Sequence, residues 1–555
     1  MEEGGATGQG RGLAAGWQGL IACLAGAVLY ALAFPPFRLP EAAYVFALPF
    51  LLWGLFGQPA KREGLLIYIS GWLSWLYLIS WLRNCTSALD MPFAGLLGWF
   101  ITVALAAILG LFWWAWVMVA LRTVRLVKDR PVYTRLAAML GIAGLWVVLE
   151  WVRGFIFTGF PWLPLSASQW QRPLLLQIAS LTGGAGISFV LVMFNAGLAF
   201  YLHTLWFKRK ESWMKRLSME FYLALVVLLF AIGYGLNSSG AGNRGRIEGP
   251  RLAFIQPNVG VMQKWNPQLV RENLQLLKDL STYASFLDPD LLLWPEAPTP
   301  LPLKGNASMR QWVESLSTEL NLPMLVGNIS RESGTTSRET KWYNAVFWVD
   351  PETGVDVDTY YAKRRLVPFG EYVPLSRYLP FVEKMVPIEG TFHPGTSVNL
   401  LEPRAPELDA GQIGNLVCYE DIFPGLARAN TLAGADWHYV ATNNAWFGEK
   451  AGAWQHAAHS VLRAVETRRP VVRCGNAGWS GWIDEYGHIR HVMLDNNASI
   501  YFQGVEVVPF SRSSWWANRF SPYVQMGDWF VGFCALLVGL GAWMSGMLKS
   551  LRKAV

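Results

Sequence analysis

The stretch IGNLVCYEDIFPG, residues 413–425, runs through residues that suit a buried strand and then turns into a cysteine, an aromatic and two acids. A thiol kept for packing usually lies among apolar neighbours. Cys418 instead ends an apolar run and stands beside Glu420 and Asp421, in a chain with five cysteines among 555 residues. Two other stretches are built the same way: DLLLWPE (290–296) delivers Glu296, and VDTYYAK (357–363) delivers Lys363. The ends of strands are where an α/β sheet presents side chains to a crevice.

Working outward from these three, short β-rich runs alternate with helical patterns. RLAFIQ (251–256), LLLWPE (291–296), PMLVGN (323–328), WYNAVFWV (342–349), VDTYYAK (357–363), IGNLVCY (413–419) and WHYVAT (437–442) read as strands, and further strands follow up to about 507. Helices are expected near 267–286, 308–320 and 453–467. The alternation predicts an α/β domain with buried sheets. A Gly/Ser-rich linker, NSSGAGNRGRIEGP (237–250), leads into it.

On either side of this domain the texture is that of a bilayer. The chain is 53% hydrophobic and 15% charged, with a mean hydropathy of +0.26, whereas soluble domains carry about 25% charged residues. Eight apolar segments approach the roughly 20 residues a crossing helix needs: near 14–34, 42–58, 64–83, 94–121, 135–157, 178–206, 219–236 and 526–548. The first is not expected to be a cleaved signal peptide: its apolar core is long, and no small-residue cleavage site is followed by a polar mature region. Segments one, two and six carry Gly, Pro or polar breaks. The predicted organisation is a transmembrane domain of seven helices (1–236), a catalytic domain (237–525), and an eighth helix with a tail (526–555).

The net charge of +7 does not point to nucleic acid, because the basic residues cluster in short loops. Lys61 and Arg62 follow segment two. Arg122, Arg125, Lys128, Arg130 and Arg135 follow segment four, and Lys208, Arg209, Lys210, Lys215 and Arg216 follow segment six. Lys549, Arg552 and Lys553 lie in the tail. With eight crossings all of these fall on one side, the cytoplasmic one. Both termini are then inside and 237–525 outside. Glu150 and Arg153, in LWVVLEWVRG, share a helix face, and are expected to form an ion pair that anchors the loop 157–169, in preference to the alternative of contacting substrate.

A thiol, a carboxylate and an ammonium can make an acyl-transfer site. The thiol is the nucleophile and the carboxylate takes its proton. The ammonium and a backbone N–H stabilise the oxyanion, and a neighbouring cation favours thiolate. Each residue also has a plainer reading: a strand cysteine as a small hydrophobe, a Glu after Trp-Pro as a turn residue, Lys363 with Arg364 and Arg365 as a solvated basic cluster. Their order and context together raise the chemical reading.

WPE, then KRRLVPFGEYVP, then VCYED resembles the nitrilase superfamily, whose triad is Glu, Lys and Cys. An α/β domain between seven helices and one resembles the apolipoprotein N-acyltransferase family, a likeness extended by FTGFPWL (157–163), QKWNP (263–267), NAWFG (444–448) and WQH (454–456). The resemblance implies a nitrilase-like αββα sandwich. It also implies Glu296 as general base, Cys418 as nucleophile and Lys363 as oxyanion stabiliser, helped by the N–H of Tyr419. Glu371 and Glu420 match second and third acids, and Trp265, Asn344, Tyr419 and Trp446 match positions near the substrate. Cys418 would take the sn-1 acyl chain of a phospholipid, typically phosphatidylethanolamine. It would pass that chain by a ping-pong route to the α-amine of the diacylglyceryl-cysteine that starts a lipoprotein after signal-peptide cleavage. No metal or cofactor is implied, and a monomer is expected. The location would be a bacterial inner membrane, with the catalytic domain in the periplasm.

That placement fits the energetics. Pulling a chain of roughly 16 carbons out of lipid costs on the order of 12 kcal/mol, at about 0.8 kcal/mol per CH₂. The segment 378–395 reads either as an interfacial lid or as an ordinary loop. Asn444 stands where the family commonly has an acid, and Cys474 where it has a small polar residue, which leaves open a second reactive thiol or a disulfide. Two other classes compete: a membrane-tethered amidase using the same triad on a small amide, and a transporter whose soluble domain only binds ligand. Against the transporter, no paired broken helices mark a transport path.

Overall fold

A computed structural model describes residues 4–87, 93–241, 245–261, 263, 266, 268–334, 339–372, 392–403 and 408–546. Trp265, most of the segment 378–395 and the basic residues of the C-terminal tail lie outside the described residues. The chain divides into two compact units: Met1–Thr86, Gly95–Ser238 and Asp528–Val555 form one, and Ser87–Ala94 with Ser239–Gly527 the other.

The first unit is helical. Among the described residues four helices are long and apolar enough to cross a membrane: Ala94–Val127, Val132–Arg153, Gly184–Phe207 and Met219–Ser239. A fifth span counts if Glu63–Leu78 and Ser80–Thr86, bent by 58°, are one. Gly16–Leu32, Pro40–Phe56, Pro173–Thr182 and Trp529–Met544 are shorter apolar helices.

The segment expected at 42–58 is broken into a 3₁₀ turn, Pro40–Tyr44, and a helix, Leu48–Phe56. A break in apolar surroundings stands only if the freed backbone groups find partners. Fully buried Asn195 supplies them. Its Oδ1 accepts from the Ala47 N–H (2.9 Å) and its Nδ2 donates to the Ala43 carbonyl (3.0 Å). Gln169 Nε2 donates to the Pro40 carbonyl (2.9 Å). The segment expected at 178–206 breaks at Gly183, whose φ of 67° is left-handed, between Ala179–Thr182 and Gly184–Phe207, so two apolar segments are broken where the sequence predicts no pair of broken helices.

Glu150 and Arg153 both hold the 157–169 loop, but through separate backbone contacts; among the described residues no ion pair joins the two side chains. Glu150 Oε1 accepts from the Leu165 N–H (2.6 Å). Arg153 NH2 donates to the Trp162 carbonyl (3.0 Å), with the guanidinium over the Trp75 ring (4.8 Å). At the basic ends of the helices Arg125 makes two 2.8 Å bonds to Glu63, and Arg135 meets buried Glu220 at 2.6 Å.

Among the described residues the second unit carries twelve strands: β1 (Arg246–Gln256), β2 (Leu291–Trp294), β3 (Met324–Glu332), β4 (Lys341–Asp350), β5 (Gly354–Val355), β6 (Tyr361–Ala362), β7 (Ile413–Val417), β8 (Trp437–Thr442), β9 (Val471–Gly475), β10 (Gly481–Ile483), β11 (Ile489–Val492) and β12 (Gly504–Ser513). One sheet has the order β12-β1-β2-β3-β4-β5, with β6 on β4; the other is β11-β10-β9-β8-β7. β1, β2 and β3 are parallel neighbours, as are β7, β8 and β9.

Alternating residues sort into two cores. Leu291 and Leu293 of β2 pack with Phe254, Leu325 and Val346 and with Val417, Tyr439 and Val472 of the second sheet. Leu292 and Trp294 face Leu277, Met309, Val313 and Leu316, from the helices Val270–Ser285 and Ala307–Leu320. Burial on both faces explains why LLLW is uninterrupted rather than alternating. The helices Pro424–Leu432 and Gly452–Thr467 contact β7 and β9.

VDTYYAK is less strand than expected. Only Tyr361–Ala362 pairs, because the Asp356 carboxylate accepts from the N–H groups of Asp358 and Thr359 and folds the run into a turn.

Candidate active site

Four strand ends bring the site together. Glu296 lies two residues past β2. Gly327 of β3 lets the WPE turn approach, since a β-carbon there would sit 2.3 Å from the Pro295 carbonyl oxygen. Lys363 follows β6, and its N–H donates to the Asn344 carbonyl of β4 (2.8 Å). Cys418 ends β7 and opens the 3₁₀ helix Cys418–Ile422, with a φ of 50°. β8 ends at Thr442, and the Thr442 side chain and the Asn443 backbone both interact with the Cys418 thiol.

All of the central groups are buried: Glu296, Asn344, Lys363, Glu371 and Cys418. Lys363 Nζ is 2.9 Å from Glu371 Oε1 and 3.5 Å from Glu296 Oε1. Asn344 Nδ2 donates to both acids, at 2.7 Å to Glu296 and 2.8 Å to Glu371. The Val367 N–H donates to the second oxygen of Glu371 (2.8 Å). Glu371 therefore has three donors and the shorter ion pair, and is the counter-ion of the lysine. Glu296 has the longer contact, and among the described residues no hydrogen bond to its Oε2 is present. Asn344, matched to a position near substrate, holds the two acids in register.

Burial would lower the Lys363 ammonium, but Glu371 and Glu296 outweigh it and hold the group well above its ordinary value. Burial, and then the Glu296 charge, push the Cys418 thiol up to about 12, against the pull of Lys363. The pull of the cation is the smaller effect, so the surroundings favour the thiol over the thiolate. Alkylation of Cys418 by iodoacetamide, followed on its peptide by mass spectrometry, is expected to rise about tenfold per pH unit from pH 7 to 10 without levelling off. A plateau near neutrality would mean a stabilised thiolate.

Glu420 joins the lysine turn to the cysteine turn. Its Oε1 accepts from the N–H groups of Arg364 (2.7 Å) and Arg365 (3.0 Å), and its Oε2 from the Val417 N–H (2.8 Å) and the Tyr361 hydroxyl (2.7 Å). Tyr419 is half-buried beside Phe423, with ring centroids 5.1 Å apart. Trp446 is half-buried on the 3₁₀ helix Asn444–Phe447 that follows β8.

Cys474 is neither disulfide-bonded nor exposed. Its thiol donates to the Leu293 (3.2 Å) and Ile255 (3.5 Å) carbonyls, and burial pushes it up to about 12. This is a peg between the sheets. Asp421, His456, Ser460 and Arg473 form a buried polar group next to Cys418 that sequence reasoning passed over. Its signals were the second acid of VCYED and the i, i+4 spacing of His456 and Ser460.

Residues 26–197 match the family model for the apolipoprotein N-acyltransferase N-terminal domain, and residues 251–516 match that for carbon-nitrogen hydrolase. An apolipoprotein N-acyltransferase from Geobacter metallireducens is 32% identical over 473 residues, covering 85% of this chain and 86% of its own. The chain belongs to the apolipoprotein N-acyltransferase family. Members from Azotobacter vinelandii (94% of this chain, 95% of the relative) and Pseudomonas aeruginosa (93% of each) are 30% identical. Among solved structures, an amidase from Nesterenkonia sp. is similar over 53% of this chain and 98% of its own, with 19% identity and a TM-score of 0.36. The membership and the apolar helices make this a bacterial membrane protein with a nitrilase-like domain. The carbon-nitrogen hydrolase match spans the buried groups from Glu296 to Arg473.

Proposed function

We propose that this protein moves the sn-1 acyl chain of a phospholipid, phosphatidylethanolamine by preference, onto the α-amine of the diacylglyceryl-cysteine of a processed lipoprotein. The observation that carries the reading is one lysine ammonium shared by two carboxylates beside a buried thiol, in a member of this family.

In the first half-reaction Glu296 takes the Cys418 proton as sulfur attacks the ester carbonyl. Lys363 and the Tyr419 N–H stabilise the oxyanion. Collapse breaks the C–O bond, and the departing lysophospholipid alkoxide takes the proton from Glu296. In the second half-reaction the α-amine attacks the thioester and gives up a proton through Glu296. The C–S bond breaks, the thiolate is reprotonated, and an amide leaves. Tyr419 and Trp446 flank the substrates.

The proposed frame has eight crossings in 1–236 and 526–555, an αββα sandwich in 237–525, both termini in the cytoplasm and the catalytic domain in the periplasm of a monomer. Two cores, one joining the sheets and one under helices, support the sandwich. Of the four shorter apolar helices among the described residues, Gly16–Leu32, Pro40–Phe56 and Trp529–Met544 support the count, and Pro173–Thr182 overlaps the start of the sixth apolar segment. The Arg125–Glu63 and Arg135–Glu220 pairs tie basic helix ends together, as the one-sided charge bias requires.

The test is to supply the purified protein in phosphatidylethanolamine vesicles with a diacylglyceryl-cysteinyl peptide that has a free amine. N-acylated peptide and lysophospholipid in equal amounts are expected. Free fatty acid in place of the amide would mean that water is the acceptor and would favour the amidase. Within this scheme Glu296→Gln is expected to slow formation of the acyl-Cys418 adduct on the order of 10³-fold. Glu371→Gln should slow adduct formation less than peptide acylation. A Glu371 variant dead at the first step would make that acid part of the triad's own support.

A further inference from the structure

Cys418 holds a left-handed φ of 50°, which a residue with a β-carbon keeps only where its surroundings over-determine it. His456 Nε2 lies 3.1 Å from the Cys418 carbonyl oxygen and 2.7 Å from Asp421 Oδ1. Asp421 Oδ2 accepts from Ser460 Oγ (2.6 Å) and from Arg473 NH1. On the other edge of the ring, Arg473 NH2 is 3.2 Å and Asn444 Nδ2 3.1 Å from His456 Nδ1. A guanidinium has only donors to offer, so Nδ1 is the lone-pair nitrogen and Nε2 carries the hydrogen. That N–H points at the cysteine carbonyl and the aspartate. Asp421, His456, Ser460 and Arg473 are all fully shielded from solvent.

We propose that His456, oriented by Asp421 and Arg473, is a positioning residue for the acyl-transfer step: by gripping the Cys418 carbonyl it sets both the thiol and the backbone donor for the oxyanion. The peptide unit is planar and trans, so its C=O and N–H point opposite ways. Fixing the Cys418 oxygen toward His456 therefore aims the Tyr419 N–H away from it. The inference rests on the acyl-transfer reading given above. It adds that the oxyanion donor is aimed by a side chain 38 residues downstream.

The test compares His456→Phe, which fills the ring's space without an N–H, with His456→Gln, whose amide can put an N–H near the Nε2 position. Both are made in the full chain in phosphatidylethanolamine vesicles. Single-turnover adduct formation on Cys418, KM for the phospholipid, and the thermal midpoint from tryptophan fluorescence are read. For His456→Phe, adduct formation should slow about 100-fold, the scale of a lost oxyanion donor, with KM little changed. His456→Gln should recover most of the rate at a similar midpoint. Adduct formation at the wild-type rate in His456→Phe overturns the proposal, as does an equal loss in both variants that tracks the midpoint. If His456→Phe does not fold, Ser460→Ala loosens Asp421 instead. It should slow adduct formation severalfold, and an unchanged rate overturns the proposal. Failure of the wild-type protein to form any adduct on Cys418 overturns the acyl-transfer reading itself, a distinct result.

Discussion

Cys418→Ala is expected to abolish acyl transfer, by roughly 10⁴-fold or more, while leaving the fold intact. Removing a nucleophile eliminates the covalent route, so only binding and the oxyanion donors remain. The side chain lost is small, and its backbone is held by β7 and by the His456 contact. The measurement is mass spectrometry of the protein after exposure to phospholipid. One acyl chain should appear on Cys418 in the wild-type protein and none in the variant, at an unchanged thermal midpoint. An adduct on Cys474 would overturn the assignment, though that thiol is enclosed between the sheets.

Glu420→Ala is expected to be the most destabilising single change at the site. The carboxylate accepts from three backbone N–H groups and one phenol across two turns. Each buried donor left without a partner costs about 1–3 kcal/mol. With some relief from entering water, a loss of about 4 kcal/mol is expected. That corresponds to a fall of roughly 8–15 °C in the midpoint of the catalytic domain. Acyl transfer should fall as well, because the turns that carry Lys363 and Cys418 lose their shared tie. Glu420→Gln keeps the shape but sets an amide NH₂ against donors, so its loss should be intermediate. A midpoint and rate equal to wild type in Glu420→Ala would mean that the tie carries no load.

Much of this was legible in the residues because local and global signals agree. LLLW is apolar on both faces because β2 has a sheet on one side and helices on the other. The three reactive side chains could be picked out because each ends such a run. What could not be read was pairing between distant segments. Nothing in PFGEYVP says that Glu371 lies nearer Lys363 than Glu296 does; that follows from where the turn after β6 folds back. Nor does the local pattern of VDTYYAK reveal that the Asp356 side chain captures two N–H groups and shortens the strand. The pull of Lys363 on the thiol was visible in the sequence, whereas the larger opposing effect of burial was not.

The polar side chain of Asn195 at the broken helix has a consequence for how the chain is made. The Ala43 carbonyl and Ala47 amide receive their partner from a residue about 150 positions later. Until that residue leaves the ribosome the early segment would expose naked peptide groups to hydrocarbon, at several kcal/mol each. Synthesis thus has an order: the second apolar segment gains the partners for its break only when the sixth apolar segment arrives beside it.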